Sequence, residues 1–211
     1  MTPITVLARR ARCGVLLVAL AALSALSGCA IQAPAVRDDD AAAAALGRFT
    51  VAGKVGWQAP DGSGRAGITW VQDDRRARLV ITGPLGAGAV VLEDDADGAR
   101  LLIGQEVRRG VDARSLLEAE LGLPLPVAQA RFWVRGVVAP GRREVLARDE
   151  AGRVSELEQA GWNVRFERWR SVDGFALPTR VVMRAGTLQL RFVATRWQPL
   201  VAEFPARAGP A

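Results

Sequence analysis

The chain has 211 residues and a formal net charge of +6, with no histidine, no tyrosine and two cysteines. Without histidine the usual general base, the Ser-His and Cys-His nucleophile pairs and the commonest zinc ligand are all missing, which argues against an enzyme. Residues 1–28 hold Arg9, Arg10 and Arg12 and no acid, so their removal lowers the charge from +6 to +3, a weak case for a nucleic-acid partner.

Residues 1–28 have the layout of an export signal: those arginines, an apolar segment from Val15 to Leu26, then small residues. The apolar segment is shorter than the ~20 residues that cross a bilayer as a helix, so it reads as a removed signal. Arg9-Arg10 lacks the context of a twin-arginine signal. Leu26-Ser27-Gly28-Cys29 resembles the lipobox of bacterial lipoproteins. That resemblance implies cleavage before Cys29, a diacylglyceryl group on its thiol and an acylated amino terminus. Cys13 then leaves with the signal, and the mature chain has no thiol for a disulfide, although export would permit one. Ala30 follows the cysteine. By resemblance to the Gram-negative sorting rule, the lack of aspartate there implies a lipid-anchored protein on the periplasmic face of the outer membrane.

Residues 29–47 combine Pro34, the run Asp38-Asp39-Asp40 and the five-alanine run Ala41 to Ala45, and read as a lipidated flexible tether. Residues 48–200 form one domain in which short apolar segments are separated by Gly or Asp, over about 150 residues; residues 201–211 are a C-terminal tail. Val51, Val55 and Trp57 alternate, as do Ala66, Ile68 and Trp70, then Leu79 and Ile81. Val90-Val91-Leu92 and Leu101-Leu102-Ile103 are unbroken apolar runs, and each segment is a strand candidate. Asp61-Gly62-Ser63-Gly64, Asp73-Asp74 and the stretch Asp94 to Gly98 read as hairpin turns. Asp112 can cap a helix from Ala113 that places Leu116, Leu117 and Leu121 on one face and stops at Gly122. A second helix can run from Val127 to Gly136 with Ala130, Trp133 and Val134 inward. Strands resume at Val145-Leu146, Leu157 to Gln159, Trp162-Val164-Phe166, Arg180 to Met183, and Leu188-Leu190-Phe192 on to Trp197. About nine to eleven strands with a helical insertion after the fifth predict a mainly β (α+β) fold, an incomplete antiparallel β-barrel with a helical lid. Trp169 falls on the face opposite Phe166, which a bulge would correct.

No catalytic constellation is present. Ser63 sits in a turn without the spacing of a nucleophile elbow, and Asp73-Asp74, Asp94-Asp95 and Glu118 with Glu120 fall where solvated surface is the simpler reading. The six tryptophans, Trp57, Trp70, Trp133, Trp162, Trp169 and Trp197, all lie in the domain. Either they fill a packed core or several of them line a hollow apolar interior, and composition leaves both open.

The order Gly53-Lys54-Val55-Gly56-Trp57, Ala66-Gly67-Ile68-Thr69-Trp70 and Arg78-Leu79-Val80-Ile81-Thr82-Gly83-Pro84-Leu85-Gly86 resembles the LolB family of outer-membrane lipoprotein receptors. So does its sequel, Leu121-Gly122-Leu123-Pro124-Leu125-Pro126, Phe132-Trp133-Val134-Arg135-Gly136, Leu157-Glu158-Gln159-Ala160-Gly161-Trp162, Leu177-Pro178 with Arg180, and a last strand ending in Trp197. The similarity spans residues 48–198; the missing tyrosines, the Asp73-Asp74 turn and Arg142-Arg143 depart from the family pattern. The resemblance implies a LolA/LolB-like half-barrel whose apolar cavity accepts acylated cargo lipoproteins from the periplasmic carrier LolA and inserts them into outer-membrane lipid. Trp57, Trp70, Trp133, Trp162, Phe166 and Trp197 are the expected cavity residues, and Pro84, Leu85 and Gly86 the expected membrane-insertion loop. A monomer without cofactor or metal is implied. The alternative is a structural or assembly lipoprotein with a solid β core that binds a protein partner through its edge strands.

Overall fold

The computed structural model describes residues 43–83 and 88–199. Six strands come first: β1 (Arg48–Ala59), β2 (Gly62–Asp73), β3 (Arg76–Thr82), β4 (Ala89–Asp95), β5 (Gly98–Ile103) and β6 (Glu106–Gly110). Two helices follow, α1 (Ala113–Leu121) and α2 (Val127–Trp133), then β7 (Arg143–Arg148), β8 (Val154–Gln159), β9 (Trp162–Val172), β10 (Phe175–Ala185) and β11 (Leu188–Pro199). All eleven strands form one antiparallel sheet in the order β6-β5-β4-β3-β2-β1-β11-β10-β9-β8-β7. Two meanders of hairpins are thus joined through the β1–β11 pair, and β6 and β7 remain free edges, so the barrel does not close.

The helices follow the sixth strand, not the fifth. Glu106-Val107-Arg108-Arg109-Gly110 carries no apolar alternation because nearly all of β6 is exposed, so it gives no strand signal. Turn chemistry accounts for the tight hairpins. Ala160-Gly161 and Asp173-Gly174 each place two successive residues at positive φ, the conformation that a two-residue turn needs to match strand twist. The first turn is tighter than expected: β2 already starts at Gly62, opposite Ala59.

Two irregularities set which residues face inward. The β1–β11 register shifts between Ala52 and Gly53, leaving Thr195 as an extra residue whose hydroxyl donates to the Ala52 carbonyl at 3.0 Å. The bulge moves Trp197 onto the face of Leu190 and Phe192, and it needs Gly53, where a Cβ would stand 2.2 Å from the Val193 carbonyl oxygen. On β9 the pairing with β10 keeps one register through Glu167 and Trp169, so no residue is inserted there. Arg168 instead takes φ +55°, and this single left-handed residue brings Trp169 to Phe166, with ring centroids 6.1 Å apart.

Asp112 accepts a hydrogen bond from the Ser115 amide at 2.7 Å, and Gly122 ends α1 in the left-handed conformation, where Leu123 N–H donates to the Leu117 carbonyl at 3.2 Å. α2 leads into buried Arg135, whose guanidinium donates to the carbonyls of Ala43, Ala44 and Leu46. Burial lowers its pKa to about 10, which leaves it charged at neutral pH, facing carbonyls and the rings of Phe49 and Phe132. Ala43 and Leu46 are consequently buried, so the last part of the expected tether packs with the domain.

Candidate functional site: an aliphatic cavity under the lid

One face of the sheet, the inner one, changes character along its strands. Near the start of β1 it is aromatic and solid: Phe49 is fully buried, 6.3 Å from Trp70 and 5.4 Å from Trp197 between ring centroids. The indole N–H of Trp70 donates to Gln72 at 3.0 Å, and that of Trp133 to Gln159 at 3.0 Å. Gln159 also accepts from the Ala139 amide and donates to the Ala139 carbonyl, so its buried amide is satisfied and Trp133 is held against the sheet.

Toward the β1–β2 hairpin the same face becomes hollow. A cavity of about 400 Å³ lies over Trp57, Ile68, Leu79, Ile81, Val90 and Leu92. Its other wall is the end of α1 and the segment after it: Leu117, Leu121, Leu123 and Leu125. The hollow has a steric origin. Short aliphatic side chains replace the indoles here, and opposite Trp57 stands Gly64, so the indole lies across β2 instead of filling the space above it. A Cβ on Gly64 would come within 2.2 Å of Trp57 Cζ2. Asp61 and Ser63 are the polar groups at the rim. Such a lining has no acid–base chemistry; it can exclude water from an apolar guest.

Of the six residues expected to line a cavity, Trp57 borders this one. Trp70, Trp133, Phe166 and Trp197 belong to the packed core, as does Trp162, which at the start of β9 also borders a second depression of about 1000 Å³. That depression is lined by Arg142, Arg143, Glu144, Glu158 and Arg184, charges of both signs that suit no apolar guest. Four of the tryptophans thus pack in the core, and Trp57 alone among the six borders the aliphatic cavity. The aliphatic wall comes from residues that alternation alone marks as ordinary core; its sequence signal is the leucine-rich exit of α1, Leu121-Gly122-Leu123-Pro124-Leu125-Pro126. Cys29 and the loop Pro84, Leu85 and Gly86 lie outside the described residues; the loop's base is closed by Gly83 N–H donating to the Gly88 carbonyl at 3.3 Å. Among the described residues no cluster of Cys, Asp and Glu could hold a metal, and no helix is long and apolar enough to cross a membrane.

Sheet, lid and cavity together define an open antiparallel half-barrel with an apolar interior. The chain belongs to the family described as outer membrane lipoprotein LolB, whose model matches residues 47–197. An outer-membrane lipoprotein LolB of Chromohalobacter salexigens is 36% identical over 196 residues, covering 89% of this chain and 89% of the relative. Its counterpart in Stutzerimonas stutzeri is 33% identical over 186 residues, covering 82% of this chain and 90% of the relative. Among solved structures, a LolA superfamily protein from Nitrosomonas europaea aligns with a TM-score of 0.48 at 11% identity, over 75% of this chain and 88% of its own. A putative outer membrane lipoprotein-sorting protein domain from Vibrio parahaemolyticus aligns with a TM-score of 0.49 at 8% identity, over 78% and 92%.

Proposed function

We propose that the chain is an outer-membrane lipoprotein receptor that takes the acyl chains of cargo lipoproteins into the aliphatic cavity and passes them into the outer membrane, receiving them from a periplasmic carrier of the LolA type. The observation that supports this is the cavity lining, aliphatic from both the sheet and the lid, in a chain of the LolB family. An acyl chain offers only methylene groups, so holding it requires exclusion of water, worth ~0.8 kcal/mol for each buried CH₂. Six such groups supply about 5 kcal/mol, enough to retain a chain and little enough to release it to a bilayer that buries all of it. On this reading Cys29 carries the lipid that holds the receptor on the periplasmic face of the membrane, and Leu85 is its contact with the bilayer during release.

The test is a reconstituted transfer from LolA. Leu123 is a half-buried loop residue in the cavity wall, so Leu123→Glu puts a carboxylate against the guest with little cost to the sheet. Acceptance of lipoprotein is expected to fall by about tenfold or more, the equivalent of about 1.4 kcal/mol, with an unchanged circular dichroism spectrum. Acceptance at the parental rate would exclude this cavity as the acyl site.

A further inference from the structure

Three strands carry apolar residues on both faces, where a sheet with one wet face would have polar ones between: Val80 stands between the alternating Leu79 and Ile81, and Val90-Val91-Leu92 and Leu101-Leu102-Ile103 are unbroken. The cavity and core account for only one face of these runs, through Leu79, Ile81, Val90, Leu92 and Leu101. Val80, Val91 and Leu102 project to the other side. The register places Val80 beside Val91, Val91 beside Leu102, and Leu102 beside Val107. The result is an apolar row across β3 to β6, about 14 Å long, in which the first three are half-buried and Val107 is 41% exposed. Directly alongside it on the same face runs a second row: Arg78, Glu93, Arg100 and Arg109. Glu93 pairs with both Arg78, at 3.3 Å, and Arg100, at 2.5 Å. Three guanidinium groups thus share this row with a single carboxylate. The outer face of β8 and β9 is different in kind: there Glu156 pairs with Arg165, and Glu158 stands opposite Asn163.

We propose that the outer face of β3–β6 is a bilayer contact, in which Val80, Val91, Leu102 and Val107 enter the headgroup boundary of an anionic phospholipid surface while Arg78, Arg100 and Arg109 lie on its phosphates. An apolar strip flanked by an excess of guanidinium groups matches that boundary: aliphatic side chains gain by leaving water, and arginine stems run along apolar surface while their heads stay with the phosphates. The contact rests on the reading that the chain works at a membrane and is independent of the cavity. It would lay the outer side of β3–β6 along the membrane surface.

The experiment uses the full chain on vesicles, without cargo, so that failure here leaves the cavity reading untouched. A nitroxide is attached at Val107→Cys and, as a control on the far half of the outer face, at Glu158→Cys, with the parent chain labelled in parallel to correct for any thiol at Cys13 or Cys29. A label at Val80→Cys repeats the measurement at a second point of the row. Vesicle-bound protein is collected by flotation, and collision of each label with oxygen and with a water-soluble nickel chelate is measured. On phosphatidylglycerol-containing vesicles, nickel access at positions 107 and 80 is expected to fall several-fold relative to position 158. The fall should be smaller on pure phosphatidylcholine and smaller again with Arg109→Gln. Equal nickel access at 107, 80 and 158 on both vesicles overturns the proposal. So does a change that occurs only when a carrier protein is added in the absence of vesicles, which would assign the row to a protein partner.

Discussion

Trp57 and Gly64 show how one missing side chain creates a site. The two residues are opposite each other in the β1–β2 ladder, and the indole occupies the space where a Gly64 Cβ would stand. Gly64 is not among the glycines at positive φ, so its backbone conformation admits any residue and the constraint is the indole alone. Gly64→Ala is therefore expected to leave the sheet intact and to push Trp57 into the cavity, with an overpacking cost of roughly 1–3 kcal/mol. Affinity for an acyl probe should fall by about tenfold, and Trp57→Leu in the same chain should restore it. Unaltered probe binding and tryptophan emission in Gly64→Ala would mean that Trp57 does not shape the cavity. At Leu85 the prediction comes from the sequence, since Pro84 and the flanking glycines favour a protruding tip. One inserted leucine is worth only ~1.5–3 kcal/mol, too little to anchor a protein and enough to orient it. Leu85→Glu is expected to accept cargo normally and to fail in delivery to liposomes; normal delivery, or lost acceptance, would remove the membrane-contact role.

Among the elements, α1 carries the lid and has opposing titrations at its N-terminus. Asp112 is held below the ordinary carboxyl pKa of 3.8 by its hydrogen bonds to Ser115, so its contribution is present above that value and is lost as the pH falls through the lowered pKa. Asp94 behaves in the opposite sense. Burial, with like charge from Asp112 and Asp95, raises its pKa despite the Ala113 amide and Arg131, so the fold gains stability as Asp94 takes up its proton and loses it as the pH rises. Protection of the α1 amides from hydrogen exchange, corrected for intrinsic rates, should therefore be greatest near the ordinary carboxyl pKa of 3.8 and fall away on either side. Asp94→Asn should abolish the gain on going down from neutrality while keeping the loss in strong acid. A parental profile in Asp94→Asn would show that Asp94 is not the group responsible. The element-level reading of the sequence succeeded where an element has one dry face and a clear punctuation, as in α1 with Asp112 and Gly122. It failed for β6, which is wet on both faces and so leaves no periodic trace.

At the scale of the molecule, no cysteine occurs among the described residues, so their fold rests on packing around the buried core. Arg135 ties residues 43–46 to the helical segment, and the expected anchor at Cys29 lies before that clamp. Cys29→Ser is thus expected to release the protein from membranes into the soluble fraction while its unfolding free energy in urea stays that of the parent, to within about 0.5 kcal/mol. Persistent sedimentation with carbonate-washed membranes would place the anchor elsewhere. A lowered midpoint would show that the lipid, or the segment carrying it, contributes to the fold.

Much about this protein is written locally. The lipobox-like Leu26-Ser27-Gly28-Cys29, the caps of α1 and most of the strands depend on neighbours a few residues away, and the ordered motifs from Gly53 to Trp197 carried the family resemblance. The site was only partly legible. Alternation assigns a side chain to a face but does not say what stands across from it, and the contrast between solid and hollow depends on what meets there. Trp70 and Trp57 alternate in the same way, yet Trp70 ends among Phe49 and Gln72 and Trp57 over Gly64 at the cavity. The Thr195 bulge and the left-handed Arg168 redirected Trp197 and Trp169 after the alternation had run out. Those outcomes depend on register and on residues far apart in the chain, so only the assembled sheet could decide them.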